Sequence, residues 1–323
     1  MNLKTAESVS PKHPDKICDQ ISDSILDAAL AEDLKSRVAV EAVGGHKLLT
    51  IIGEVTSKSK IDYEQIARQF VDDEYEVRIN VAQQSGEIAQ GVDIGGAGDQ
   101  GIMVGYATSE TSNLIPLELD LSRSLNRHIY NKFPYDGKTQ VTLDGNKIIA
   151  LVASFQHASR QALMTLINDW LNKIGRSEKV EIYANPAGDW NIGGFDADTG
   201  LTGRKLAVDS YGPRIPIGGG AFSGKDASKV DRSGAYMARK IAVDYLVKRN
   251  AKEVYTQLAY AIGVAEPVEA VVVIDGVEEK VVGYDLTPQA IIEFLKLDHP
   301  QFCKTAEYGH FGNGFLWDKP SLN

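Results

Sequence analysis

The amino-acid sequence predicts an α+β fold of three similar helix-and-sheet units, and three observations predict it. An amphipathic helix, a pair of strands and a second helix recur in that order from starts near Pro14, Pro116 and Asp226, a repeat of roughly a hundred residues in pattern rather than in residue identity. At 323 residues the chain has room for two or three such units, each with its own core. Runs such as 148–153 and 271–274 are apolar without alternation, as strands covered on both faces are. So long a period fits separate α+β units, not a solenoid. The units are expected at residues 1–88, 89–190 and 191–323.

In the first unit a helix is expected from Pro14, because Ile17, Ile21, Ile25 and Ala29 share one face and proline suits a first turn that needs no N–H. His13 then stands at the helix N-terminus, where free N–H groups favour an anion, and Asp15 is placed to hold a cation on that anion. Plain capping by Ser10, His13 and Asp15 explains the same residues. Residues 37–43 alternate as a strand, Gly44-Gly45 supplies a turn, and 48–56 returns as the second strand of a hairpin. Glu41 and Glu54 interrupt these apolar strands; each needs a cation or a donor if buried, or lies on an exposed face. Residues 63–75 read as a helix with Ile66, Phe70 and Val71 inward and a solvated acidic face, and 77–82 as a short strand.

The second unit begins in a polar, glycine-rich stretch, 83–98, read as a mobile loop. Gln90 lies in it, and Asp99 stands where it enters a strand at 102–107, as a ligand-binding carboxylate or an ordinary turn residue. Pro116 opens a helix carrying Leu117, Leu121, Leu125 and Ile129; strands 138–143 and 147–155 meet around Asp144-Gly145-Asn146; and 159–174 is helical again. Asp136-Gly137-Lys138 places an acid and a base two apart at a strand entrance, which a simple turn would also do. Between 183 and 209 glycine is too dense for regular structure, and Trp190 there is either a core plug or a platform for a base.

Residues 218–232 of the third unit carry the clearest chemical signal. Three glycines followed by Gly224-Lys225 leave backbone N–H groups free to face a polyanion, and Lys225, Lys229 and Arg232 fall on one face of a helix expected from about Asp226. Asp231 adds a magnesium ligand by residue type. From Arg204 to Lys240 there are eight Lys/Arg against three Asp/Glu, in a chain of net charge −10. Gly-Lys-Asp departs from the Gly-Lys-Ser/Thr of a P-loop, and a glycine turn before a solvated helix is the plain alternative. Strands 254–264 and 268–275 and a helix from Pro288 complete the unit, and residues 305–312 read as packing.

The acidic balance excludes a general nucleic-acid or anionic-membrane binder and leaves a small anionic ligand. Two cysteines, Cys18 and Cys303, make no disulfide scaffold and lack metal-ligand spacing, as expected in a reducing compartment. No apolar signal core and no membrane-length apolar run is present, which points to a cytoplasmic protein.

Laid end to end, Glu7-Ser8-Val9-Ser10 with His13-Pro14-Asp15-Lys16, residues 96–101 (GAGDQG), 200–205 (GLTGRK) and 218–232 closely resemble the S-adenosylmethionine synthetase (methionine adenosyltransferase) family, in the family's order and over essentially the whole chain. The resemblance implies three α+β units about a pseudo-threefold axis and a reaction in which methionine sulfur attacks C5′ of ATP, releasing tripolyphosphate that is hydrolysed to pyrophosphate and phosphate. It implies that His13, Lys138, Arg204, Lys205, Lys225 and Lys229 neutralise the polyphosphate, with His13 and Lys138 nearest the breaking bond. Asp136 and Asp198 would address the nucleoside, and Trp190 and Ile262 would sandwich adenine. Glu54, Gln90, Asp99 and Lys229 would orient methionine. Asp15 and Asp231 would hold Mg2+, two ions per site, and Glu41 and Ser223 would lie at K+. The implied assembly is a homodimer or a dimer of dimers with shared sites. Pro11-Lys12, Trp190 and Ile217 depart from the family's usual Glu-Gly, phenylalanine and histidine, and the chain is short for the family. A nucleotide-binding regulatory subunit would not need His13, Lys138, Lys225 and Lys229, and a polyphosphate hydrolase would not need Glu54, Gln90 and Asp99.

Overall fold

Three long helices each cover a four-stranded sheet, and each sheet takes one strand from elsewhere in the chain. The computed structural model describes residues 2–83, 96–176 and 179–321. The first stretch runs β1 (Leu3–Val9), α1 (Pro14–Glu32), β2 (Arg37–Gly45), β3 (Leu48–Thr56), α2 (Tyr63–Ala67) and β4 (Glu76–Ala82). The second runs β5 (Gly101–Thr108), α3 (Leu117–Tyr130), β6 (Gly137–Asp144), β7 (Lys147–Phe155), α4 (Arg160–Lys173) and β8 (Glu181–Ala184). The third runs β9 (Gly200–Leu201), α5 (Leu206–Asp209), α6 (Val230–Arg249), β10 (Glu253–Tyr260), β11 (Glu269–Ile274), β12 (Val277–Lys280), α7 (Pro288–Leu295) and α8 (Thr305–Tyr308).

The sheet orders are β4-β3-β2-β9, β1-β6-β7-β8 and β12-β11-β10-β5. β1, which precedes α1, pairs antiparallel with β6 of the second sheet; β5, which precedes α3, pairs with β10 of the third; β9, which precedes α6, pairs with β2 of the first. Strand donation therefore runs in a ring, as three units about a pseudo-threefold axis require. In the first two units the hairpin is followed by a helix and a strand parallel to its second member, β4 beside β3 and β8 beside β7. The third unit breaks the pattern, because Asp275-Gly276 turns β11 directly into antiparallel β12. Units one and three share one core, in which Ile21, Ile25 and Val40 meet Met103, Tyr236 and Leu258. The second unit has its own, around Leu125, Val141, Leu151, Ile167 and Trp170.

Several local expectations are corrected. The chain turns between β2 and β3 at His46 (φ 51°) and Lys47 (φ 67°), while Gly44 and Gly45 stay in the strand. A Cβ on Gly44 would lie 2.6 Å from Phe195 Cζ, so a close approach and not a turn requires glycine there. The helix from Tyr63 stops at Ala67, where Arg68 folds back to donate to the Asp72 and Tyr75 carbonyls, and acids at 72–74 oppose a helix C-terminus. α6 begins at Val230 because Asp226 is tied to β2, its N–H donating to Val38 O (3.0 Å) and its carboxylate accepting from Val38 N (2.7 Å). Residues 84–95, with Gln90, most of the 83–98 loop and the expected boundary between the first two units, lie outside the described residues.

Candidate active site

Two clusters gather the expected residues. The first forms at the N-terminus of α1, where β9 crosses the helix so closely that a Cβ on Gly200 would lie 2.2 Å from Pro14 O. That crossing brings Arg204 and Lys205 to Asp15: Lys205 Nζ pairs with Asp15 Oδ2, the Leu201 N–H donates to Oδ1 (3.0 Å), and Arg204 Nε lies 3.6 Å from Oδ1. Burial works against the Asp15 carboxylate, but Lys205 and the Leu201 N–H outweigh it and hold its pKa below the usual range. Lys138 arrives with β6, because Val9 of β1 pairs with Lys138 and the Ser10 N–H donates to Gly137 O (2.8 Å).

His13 caps α1, its Nδ1 accepting the Asp15 N–H at 3.2 Å. It is 3% exposed, and burial first, then the Lys205 and Lys138 ammonium groups, pull its pKa down to about 3. The ring is neutral, so it presents an Nε2–H donor instead of the positive charge expected of it. Beside it Asp136 accepts from the Gly194 N–H (3.0 Å), and burial raises its pKa despite that bond. Trp190 adjoins Asp136 through Gln156, whose Oε1 accepts from the Asp136 N–H (3.4 Å), while a Cβ on Gly193 would lie 2.6 Å from that Oε1 and 2.7 Å from Trp190 Cζ3. Trp190 is half-buried and so is no core plug; Asp198 is exposed and near enough to Asp136 to raise its pKa further.

The second cluster lies between the first and third sheets. Lys225 bridges to Ala39 of β2, its Nζ 2.6 Å from Asp231 Oδ2, and the Gly220 N–H donates to Asp231 Oδ1 (3.2 Å). A Cβ on Gly220 would lie 2.7 Å from Asp231 Oδ2 and 2.8 Å from Lys225 Nζ, so the glycine run closes over this ion pair. Ala39 faces Glu54 across the hairpin, which puts exposed Glu54 beside the Lys225 bridge. Ser223, next to Gly224 in this loop, has its Oγ buried without a hydrogen-bond partner among the described residues, and Glu41 is exposed on β2. A Cβ on Gly101 would lie 3.4 Å from Asp231 Oδ1, so the turn with Asp99 borders the cluster. Ile262, 61% exposed, follows through the Gly263 N–H, which donates to Ala97 O (2.8 Å). Lys229 pairs with Asp226.

Arg232 does not join the cations. It is fully buried, with Nη1 and Nη2 on the two Asp23 oxygens (2.7 and 2.8 Å), because the delayed start of α6 turns it into the shared core. Among the described residues no ion pair or side-chain hydrogen bond joins the two clusters, although their loops meet where a Cβ on Gly203 would lie 2.5 Å from Ala221 Cβ. Sequence reasoning missed Asp19, Asp23 and Asp226, each of which reads locally as a solvated helix or loop acid.

Comparison with known proteins finds three domain models of one family in order along the chain. The model for the S-adenosylmethionine synthetase N-terminal domain matches residues 1–91, that for the central domain 94–190, and that for the C-terminal domain 192–319. The S-adenosylmethionine synthase 2 of Rhodospirillum rubrum is 40% identical over 373 aligned positions, covering 99% of this chain and 96% of that protein. The S-adenosylmethionine synthase of Mesoplasma florum is 40% identical, covering 98% and 97%, and that of Salinibacter ruber 41%, covering 98% and 95%. These alignments run longer than the 323 residues here, so the relatives carry stretches that this chain lacks.

Proposed function

Because the chain belongs to the S-adenosylmethionine synthetase family and makes S-adenosylmethionine from ATP and L-methionine, as a methionine adenosyltransferase, we propose that its two clusters are the two halves of an active site completed between two copies of the chain. The observation that carries this is the division of labour. The α1 cluster holds His13, Asp136, Lys138, Trp190, Arg204 and Lys205, while Glu54, Asp99, Ile262, Lys225 and Lys229 lie in the other. Exposed apolar residues on the sheets support a large contact between copies: Ile52 and Ile79 in the first, Ile149 and Tyr183 in the second, Ile102 in the third. We take the units as 1–88, 89–190 and 191–323, and the assembly as a homodimer or a dimer of such dimers.

Methionine sulfur attacks C5′ of ATP as the bond to the triphosphate oxygen breaks. A thioether carries its lone pair at neutral pH and needs no general base, so the demand falls on the departing charge. Lys138, Arg204, Lys205 and Lys225 meet that charge, and neutral His13 donates from Nε2 near the breaking bond. Trp190 and Ile262 enclose adenine, Asp136 and Asp198 address the nucleoside, and Glu54, Gln90, Asp99 and Lys229 orient methionine. Water then splits the tripolyphosphate into pyrophosphate and phosphate. Oxygen ligands suit Mg2+, and among the described residues no group of three or more His, Cys, Asp or Glu could hold a metal. Asp15 and Asp231 would therefore each hold an ion jointly with substrate phosphates, two per site, supplying charge neutralisation when bound. The orphaned Ser223 Oγ suits K+, with Glu41 as the further ligand. A cytoplasmic location fits the two free thiols, Cys18 and Cys303; among the described residues no helix is long and apolar enough to cross a membrane.

Co-expression tests the shared site. His13→Ala and Asp99→Ala are each expected to be inactive, whereas their isolated heterodimer should recover roughly half of wild-type activity, since one of its two sites keeps both intact halves. A heterodimer as inactive as its parents overturns the shared site.

A further inference from the structure

Helix α1 carries aspartates at 15, 19, 23 and 27, one per turn on one face, and each accepts backbone N–H groups from the third unit. Asp15 takes Leu201 N (3.0 Å), Asp19 takes Gly203 N (2.8 Å), Asp23 takes Gly224 N (2.8 Å), and Asp27 takes Gln301, Phe302 and Cys303 N at 2.8 to 2.9 Å. Asp19 and Asp23 are fully buried. Burying a carboxylate is costly, and binding a loop to a helix does not call for one, since neutral acceptors do so at less cost. What the carboxylates add is a short, directional bond at one atom. The two atoms they fix are telling: Gly203 immediately precedes Arg204-Lys205, and Gly224 immediately precedes Lys225.

We propose that Asp19 and Asp23 are positioning residues for the adenosyl transfer, with α1 setting where the Arg204-Lys205 and Lys225 loops stand relative to the reacting centre. This rests on assigning those cations to the leaving polyphosphate. Asp23 also neutralises buried Arg232, so its removal would confound positioning with folding. Asp19 is the cleaner probe, because its other partner, Lys16, keeps Asp209. Ser22 on the same helix supports the same loop, its Oγ 2.8 Å from Thr202 Oγ1.

Misplacing a catalytic group by about 1 Å can cost on the order of a hundredfold in rate. Asp19→Ala should therefore lower kcat by about 10- to 100-fold while calorimetric ATP affinity stays within about threefold, and Asp19→Asn, which keeps an acceptor for Gly203 N–H, should regain most of the loss. In a Lys205→Ala background Asp19→Ala should add little further loss, because both act through one group. A folded Asp19→Ala enzyme with normal kcat, an Asn variant as poor as Ala, or losses that multiply with those of Lys205→Ala would each overturn the positioning role. Normal kcat in Lys205→Ala alone overturns the site assignment itself. If Asp19→Ala does not fold, Ser22→Ala carries the test, with a kcat loss of about threefold or more expected and an unchanged kcat overturning the proposal.

Discussion

Unfolded, His13 titrates near 6.5; folded, burial and the Lys205 and Lys138 ammonium groups hold it near 3, so between those values the unfolded chain binds a proton that the folded chain refuses. Stability from this residue is complete above pH 6.5 and is lost as pH falls through the window toward 3. At pH 5 the loss amounts to about 2 kcal/mol. His13→Asn keeps an acceptor for the Asp15 N–H but cannot titrate. Urea unfolding at pH 7 and pH 5 should show wild type losing about 2 kcal/mol more than the variant, and equal losses would mean that the folded ring carries its charge. At this scale most of the residues that gather in the two clusters of the candidate site were legible, because glycine runs and clustered cations are unusual in so acidic a chain. The charge state of His13 was not, since Lys138 and Lys205 lie far from it in sequence. Nor was the burial of Arg232, because helical spacing shows which residues share a face but not whether that face meets solvent, and its partner Asp23 is 209 positions away.

Elements were legible where their period is local. The strands β2 and β6 alternate as half-buried strands do, and α1, α3 and α4 carry an apolar stripe. Boundaries failed where a distant contact decided them, as when Val38 holds Asp226 out of α6. Gly44 is a clear case: glycine is the usual residue of a turn, yet here it lets the Phe195 ring close on β2. Gly44→Ala puts a methyl carbon inside contact distance of that ring without changing the turn. Overpacking of this kind costs about 1–3 kcal/mol. The urea midpoint should fall by that amount with the slope unchanged, whereas Gly45→Ala, whose Cβ would meet Thr199 Oγ1 at 3.0 Å, should cost less. Equal stability of Gly44→Ala and wild type would show that Phe195 relaxes without cost.

The order of helices and hairpins revealed three units, but the ring in which each unit lends a strand to another did not appear in it, because a strand's own pattern gives its faces and not its partner. This ring makes stability non-local. β1 stands at the start of the chain, yet all seven of its residues pair with β6, and Ala6 is buried with Ile115 and Leu119. Deleting residues 2–9 would leave β6 with an open edge and uncover that cluster, while the first sheet, closed by β9 and covered by α1, would lose no strand. The damage should therefore fall on the second unit. Trp170 reports on that unit's core, with its Nε1 donating to Ser124 Oγ (3.0 Å), and Trp317 reports on the core shared by the first and third units. With Trp190 and one of the other two tryptophans replaced by phenylalanine, fluorescence during urea unfolding follows each core separately. Deletion should lower the Trp170 midpoint well before it moves that of Trp317. If the first-unit core fails first, β1 stabilises its own unit through α1 and the borrowed strand is incidental; if both midpoints fall together, the ring couples the three sheets into one cooperative unit.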